Sequence, residues 1–177
     1  MNLWNSSLKP VTVLVLVCLL AGIVLSSANQ ITAPVIAANE EAANNATYLE
    51  ALPEADSFTP VACSVEGVIS VLRADNGAGW VITAQSRGYG GQVPAAVAFS
   101  DDGAILRVVM MSNGETPGLG QKVTEEAFCS QFTGRAAESF PLDEIDAVSG
   151  ATISSRASVN AINLAIAAYK EVTGGAS

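Results

Sequence analysis

Three short segments of this 177-residue chain hold residue types and spacings that could do chemistry. In the stretch from Asp146 to Ser155, Ser149, Gly150, Ala151 and Thr152 stand where a loop would enter the last helix. A helix start offers backbone N–H groups without intrahelical partners and the positive end of the helix dipole, so a phosphate is favoured there and small residues let it approach. The same residues also read as a hydroxyl-rich helix cap, and residue chemistry taken alone favours the cap. The second segment, Glu115-Thr116-Pro117-Gly118-Leu119-Gly120, reads as a tight Pro-Gly connection or as backbone able to lie against a flat ring with Leu119 as one apolar contact. In the third, Arg87-Gly88-Tyr89-Gly90-Gly91, one aromatic stands among glycines at a strand end, where a packed turn residue is the commoner use of Tyr89 than a stacking partner.

What is missing narrows the chemistry further. The chain has no histidine, which removes Ser-His-Asp and Cys-His catalysis, imidazole acid–base steps and histidine metal sites. Its three cysteines, at 18, 63 and 129, form no CxxC or ferredoxin-like spacing for a cluster. Cys63 and Cys129 could pair as a disulfide, but two packed thiols are the favoured reading. A net charge of −9 with only 8 Lys and Arg leaves nothing to neutralise a row of phosphates, so nucleic acid is excluded as a partner.

The elements that must position these segments begin with an anchor. Val11 to Ala28 carries no charge and has the length of a short bilayer-spanning helix. A cleaved signal peptide is the competing reading, but the apolar run exceeds the usual signal core and continues through Ile31, Val35 and Ile36. Lys9 precedes the span, whereas Glu40, Glu41, Glu50 and Glu54 follow it with no Lys or Arg before Arg73. The expected organisation is a cytoplasmic N-terminus at 1–10, a transmembrane helix at 11–28, a helical stalk at 29–55 interrupted at Pro34, and an extracytoplasmic domain at 56–177. Membrane lipid is then a partner of the anchor.

Within that domain, the apolar patterns at 65–74, 79–88, 93–103 and 104–111 read as strands, with Asp101-Asp102-Gly103 turning between the last two. Lys122 to Phe132 reads as a short helix. Thr152 to Val172 reads as a longer one with Val159, Ile162, Ala165, Ile166 and Tyr169 on one face, ended by Gly174-Gly175. The fold class expected is α+β: an N-terminal transmembrane helix and stalk, then a twisted antiparallel sheet with packed helices.

Together the three segments resemble the FMN-binding domain shared by the G subunit of the Rnf-type electron transport complex and the C subunit of the sodium-translocating NADH:quinone oxidoreductase. Asp146, Ser149, Gly150, Ala151, Thr152 and Ser154 match that family's D-x-x-S/T-G-A-T-x-S/T pattern, whose threonine carries FMN as a phosphoester; Glu115 to Gly120 match its E-T-P-G-L-G loop, and 88–91 its G-Y-G-G turn. One position departs from the pattern: related sequences often carry a histidine two residues before the loop's glutamate, where this chain has Asn113. Chain length favours the G subunit over the longer C subunit.

The resemblance implies one covalent FMN per chain on Thr152, with Ser149, Gly150 and Ala151 around its phosphate. Glu115, Thr116, Leu119 and Gly120 would meet the ring, and Lys122 would stabilise a negatively charged flavin or stay a solvated surface cation. It also implies a flavin transferase that uses FAD and recognises Asp146 and Ser149 to Thr152. The chain would catalyse nothing alone and would relay electrons among the membrane and peripheral subunits of a ferredoxin:NAD oxidoreductase in the cell membrane. The alternatives are a component like the C subunit, a free-standing flavoprotein reductase that would need a partner chain, and a non-redox membrane scaffold. A lipid-anchored binding protein would need a cysteine just after the apolar run, which this chain lacks.

Overall fold

A computed structural model describes residues 9–174; residues 1–8 of the expected tail at 1–10, and Gly175, lie outside them. Two compact units divide the chain, Met1–Asn44 and Asn45–Ser177. Helix α1 runs Lys9–Ala51 and includes Pro34, so the expected interruption does not occur. Proline removes one ladder bond, and the alanine-rich stretch beyond it has the strongest intrinsic preference for helix. Val11–Pro34 forms 24 residues long and apolar enough to cross a bilayer. Two of its hydroxyls bond back to the helix's own carbonyls, Ser27 Oγ donating to Ile23 at 2.8 Å and Thr32 Oγ1 to Ala28 at 3.0 Å.

The second unit is a five-stranded antiparallel meander in the order β1-β2-β3-β4-β5. Its strands are β1 Phe58–Pro60, β2 Val68–Ala74, β3 Trp80–Arg87, β4 Gln92–Phe99 and β5 Ile105–Met110. The four sequence-expected strands are present with adjusted ends, and β1 joins them as an edge strand. Both faces of the sheet are buried, which is why β4 reads as a nearly unbroken apolar run. Ile82, Ala84, Ala95, Val97 and Phe99 point into the main core, while Val81, Ala96 and Ala98 meet Tyr48, Ala51, Leu52 and Ala55 on the other face. Alanines on that second face let the last turns of α1 approach closely. Pro94 lacks an N–H, and the β4–β5 pairing starts one residue later, at Ala95.

Helix α3, Thr152–Val172, covers the main core face with Val159, Ile162, Ala165, Ile166 and Tyr169, as its period predicts. The expected helix at 122–132 is instead three pieces: a 3-10 turn at Gly120–Thr124, a single turn α2 at Glu126–Cys129, and a 3-10 turn at Ser130–Phe132. Its apolar residues still face the core through Val123, Phe128 and Phe132. Extended backbone at Glu125 breaks the run, and no side chain caps α2. Cys63 and Cys129 are free thiols. Burial pushes the Cys129 thiol up to about 11, so it packs as a small apolar group.

Candidate functional site: a cleft at the start of α3

Three loops converge at the N-terminal end of α3. The β3–β4 turn brings Tyr89, the segment after β5 brings Glu115, Thr116, Leu119 and Gly120, and the helix entry brings Gly150, Ala151, Thr152, Ile153 and Ser154. These ten residues line an open cleft of about 460 Å³, within the range of small-molecule sites.

The helix start departs from an ordinary cap. Ala151 holds the N-cap position and no side chain bonds the first-turn N–H groups. Two nearby hydroxyls are committed elsewhere: Ser154 Oγ donates to the Glu115 carboxylate, while Ser155 Oγ donates to the Ala151 carbonyl at 3.1 Å and accepts from the Val148 N–H at 3.0 Å. Thr152, the first helical residue, is exposed. The residues that would make a cap are present, but they leave the helix end free to bind an anion.

Glu115 binds the three loops together from within. Its side chain is 2% exposed. One carboxylate oxygen accepts the Gly90 N–H at 2.9 Å, and the other accepts the Ser154 hydroxyl at 2.5 Å. Asn113 supports this loop, its Oδ1 accepting the Glu115 N–H at 3.2 Å while its Nδ2 donates to the Met111 carbonyl at 3.1 Å. Asn113 is thus an amide with two backbone duties.

Of the residues singled out from sequence, the cleft gathers Glu115, Thr116, Leu119, Gly120, Gly150, Ala151 and Thr152. Ser149 lies in the turn just before it and is exposed. Lys122 and Asp146 line a separate groove with Glu125, Phe128, Gln131 and Val148. There the Gln131 side chain pairs with the Asp146 backbone, its Oε1 accepting the N–H at 2.7 Å and its Nε2 donating to the carbonyl at 3.3 Å, so the Asp146 segment is held by its main chain. Sequence reasoning missed Ile153 altogether and missed Ser154 as a cleft wall; the position directly after a helix-start threonine is the only signal that would have found Ile153. Tyr89 is not a packed turn residue: it is 73% exposed at the cleft.

A family model described as the FMN-binding domain matches residues 88–167, a span that contains all three loops. Over 83% of its length the chain is 33% identical to the G subunit of the ion-translocating oxidoreductase complex of Stutzerimonas stutzeri, covering 74% of that protein. The chain belongs to the G-subunit family of ion-translocating oxidoreductase complexes. Two further G subunits align almost end to end: that of the proton-translocating ferredoxin:NAD(+) oxidoreductase complex of Clostridium ljungdahlii, 29% identical over 92% of this chain and 91% of the relative, and that of the Na(+)-translocating complex of Acetobacterium woodii, 28% identical over 96% and 95%. Among solved structures, NqrC of Shewanella oneidensis superimposes with a TM-score of 0.51 and 25% identity, over 59% of each chain. The fold of this family member is thus shared with NqrC, and the cleft lies inside the matched FMN-binding domain.

Proposed function

We propose that the chain is the flavin-carrying subunit of a membrane-bound, ion-translocating ferredoxin:NAD oxidoreductase of the Rnf type, with FMN joined through its phosphate to the Thr152 hydroxyl. The observation that carries this reading is an exposed threonine at the first position of a helix whose N–H groups lack a side-chain cap, on the wall of a cleft of ligand size. Near end-to-end alignment with two G subunits, against 59% coverage of NqrC, supports the part of a G subunit over that of a C subunit.

The residues present fit the cofactor. The first-turn N–H groups of α3 would hold the phosphate, with Gly150 and Ala151 small enough to let it approach and Ser149 flanking. Leu119, Ile153 and Tyr89, all exposed at the cleft, offer apolar surface for the ring, with Thr116 and Gly120 beside them. Bound FMN supplies the electron transfer, and the protein supplies position and electrostatics. Lys122 lines the neighbouring groove and acts on the flavin only through its field.

The Thr152 hydroxyl makes no hydrogen bond to a carboxylate or amine among the described residues, so none of these activates it. A separate transferase would form the threonine O–P bond, break the FAD pyrophosphate and release AMP, with the hydroxyl proton lost to solvent or enzyme. It would read Asp146, Ser149, Gly150, Ala151 and Thr152. The apolar Val11–Pro34 helix would anchor the chain in membrane lipid with the N-terminus cytoplasmic and the flavin domain outside. Electrons from ferredoxin would pass through partner subunits and this flavin, with NAD reduction and ion movement at other subunits.

Intact mass and in-gel flavin fluorescence test the reading on the full chain purified from its native host beside Thr152→Ala. The expected result is one FMN phosphoester per native chain and none in the variant. A native chain without added mass, made where the transferase is active, overturns the proposal.

A further inference from the structure

We infer that Glu115 is a positioning residue: its buried carboxylate clips the Gly88–Gly91 turn to the first turn of α3 and so fixes Tyr89 and Thr152 across the cleft. The inference rests on the flavin reading for its consequence, but the clip itself is a property of the protein. Both oxygens are engaged, one by the Gly90 N–H at 2.9 Å and one by the Ser154 hydroxyl at 2.5 Å. These contacts join segments 25 and 39 residues away in sequence. At 2% exposure, the carboxylate faces into the protein, so its effect on a bound ring passes through the loops it holds.

The glycines around it show that the site is built for this group. A Cβ at Gly88 would collide with one carboxylate oxygen and fall 2.6 Å from a Val93 methyl. At Gly120 it would fall 2.9 Å from the other oxygen and 2.8 Å from Ser154 Oγ. Two loops therefore give up side chains to admit one carboxyl group, and both of its buried oxygens are hydrogen-bonded. Tyr89 lies between Gly88 and Gly90, so the clip determines where that ring stands. Ser154 lies two residues after Thr152, so the same clip fixes the rotation of the helix start.

The test uses the full chain in its native host with Glu115→Ala, Glu115→Gln and Ser154→Ala. Glutamine can accept the Gly90 N–H and donate to the Ser154 oxygen, so it should restore the clip. Three readouts are taken: hydrogen exchange at the Gly90 amide, flavin fluorescence anisotropy with the shape of the visible absorption band, and covalent flavin by intact mass. Glu115→Ala and Ser154→Ala should speed Gly90 exchange by roughly tenfold or more and lower the anisotropy, with Glu115→Gln close to the native chain in both. A merely structural glutamate would lower the unfolding midpoint without changing the optical signature of the folded protein, and that result overturns the proposal. Glutamine behaving like alanine also overturns it, since the carboxylate would then act by charge or by direct ring contact. Ser154→Ala carries the test if Glu115→Ala does not fold. A native chain that lacks flavin fails the functional reading, while Gly90 exchange still decides whether the clip exists.

Discussion

The two ends of α3 are built on opposite terms. At its C-terminal end, Tyr169 stacks on Phe99 with ring centroids 4.7 Å apart and meets Trp80 edge-on at 6.5 Å. Its hydroxyl donates to the Ser100 and Asp101 carbonyls at 3.0 and 3.2 Å, and Trp80 Nε1 donates to the Asp101 carboxylate at 3.0 Å. That end fastens the helix to the β4–β5 turn with aromatic area and satisfied polar tips. The N-terminal end has exposed Thr152, no side-chain cap, and loops held by one buried carboxylate instead of an apolar contact set. A helix secured firmly at one end can leave the N–H groups of the other free for a ligand, because stability and binding then draw on different residues.

The widest separation of the two ends comes from Thr152→Ala and Tyr169→Ala. The first should abolish covalent flavin while leaving the urea unfolding free energy within about 0.5 kcal/mol of the unmodified native chain, since it alters an exposed side chain. The second should cost about 3–5 kcal/mol by urea unfolding, as large aromatic truncations in a core do, and still accept flavin while folded. A Tyr169→Ala chain of native stability, or a Thr152→Ala chain that unfolds, would break the comparison.

The C-terminal end was the more legible of the two. Period 3.6 places Val159, Ile162, Ala165, Ile166 and Tyr169 on one face, and the helix bounds follow from its own residues. Strands β2 to β5 were legible for the same reason, since apolar runs and the turn residues that bound them are local. Edge strand β1 was not, because Phe58-Thr59-Pro60 is defined by its pairing with Ala74, Arg73 and Leu72 and has no period of its own. At the N-terminal end the composition of each loop could be read, but not what joins them. The resemblance implies a ring contact for Glu115, whereas its bonds to Gly90 and Ser154 exist only once three distant segments meet. Exposure of Tyr89 and the division of Lys122 and Asp146 into a second groove are likewise tertiary facts.

A smaller effect is expected at the joint between the loops. Gly120→Ala would push a methyl to within 2.8 Å of Ser154 Oγ and about 3.0 Å of the Glu115 Cβ, so Glu115 or the helix start must shift. Overpacking of this kind should cost about 1–3 kcal/mol and change the flavin band shape, whereas the same overpacking far from the cleft would cost stability alone. Denaturation midpoints and absorption spectra of the folded variant distinguish the two. If Gly120→Ala is silent in both, the loops are less tightly joined than the distances indicate.

The smallest effect belongs to the fastened end. Glu171 accepts the Ser64 N–H at 2.9 Å and the Ser64 hydroxyl at 2.7 Å, tying the last turn of α3 to the segment before β2. The hydroxyl bond, then the backbone bond, holds this carboxyl below its ordinary value of 4.5. A folded state that favours the ionised form gains stability above the unfolded value and loses it as pH falls through the lower, folded one. Acidification should therefore loosen Ser64 only below the ordinary glutamate range, and Glu171→Gln should do so at neutral pH. Carboxyl chemical shifts and Ser64 amide exchange are the measurements, with Gly90 exchange as the control at the other end. Titration of Glu171 at the free glutamate value would remove this tie, and would leave the last turns of α3 held by Tyr169 and its apolar neighbours.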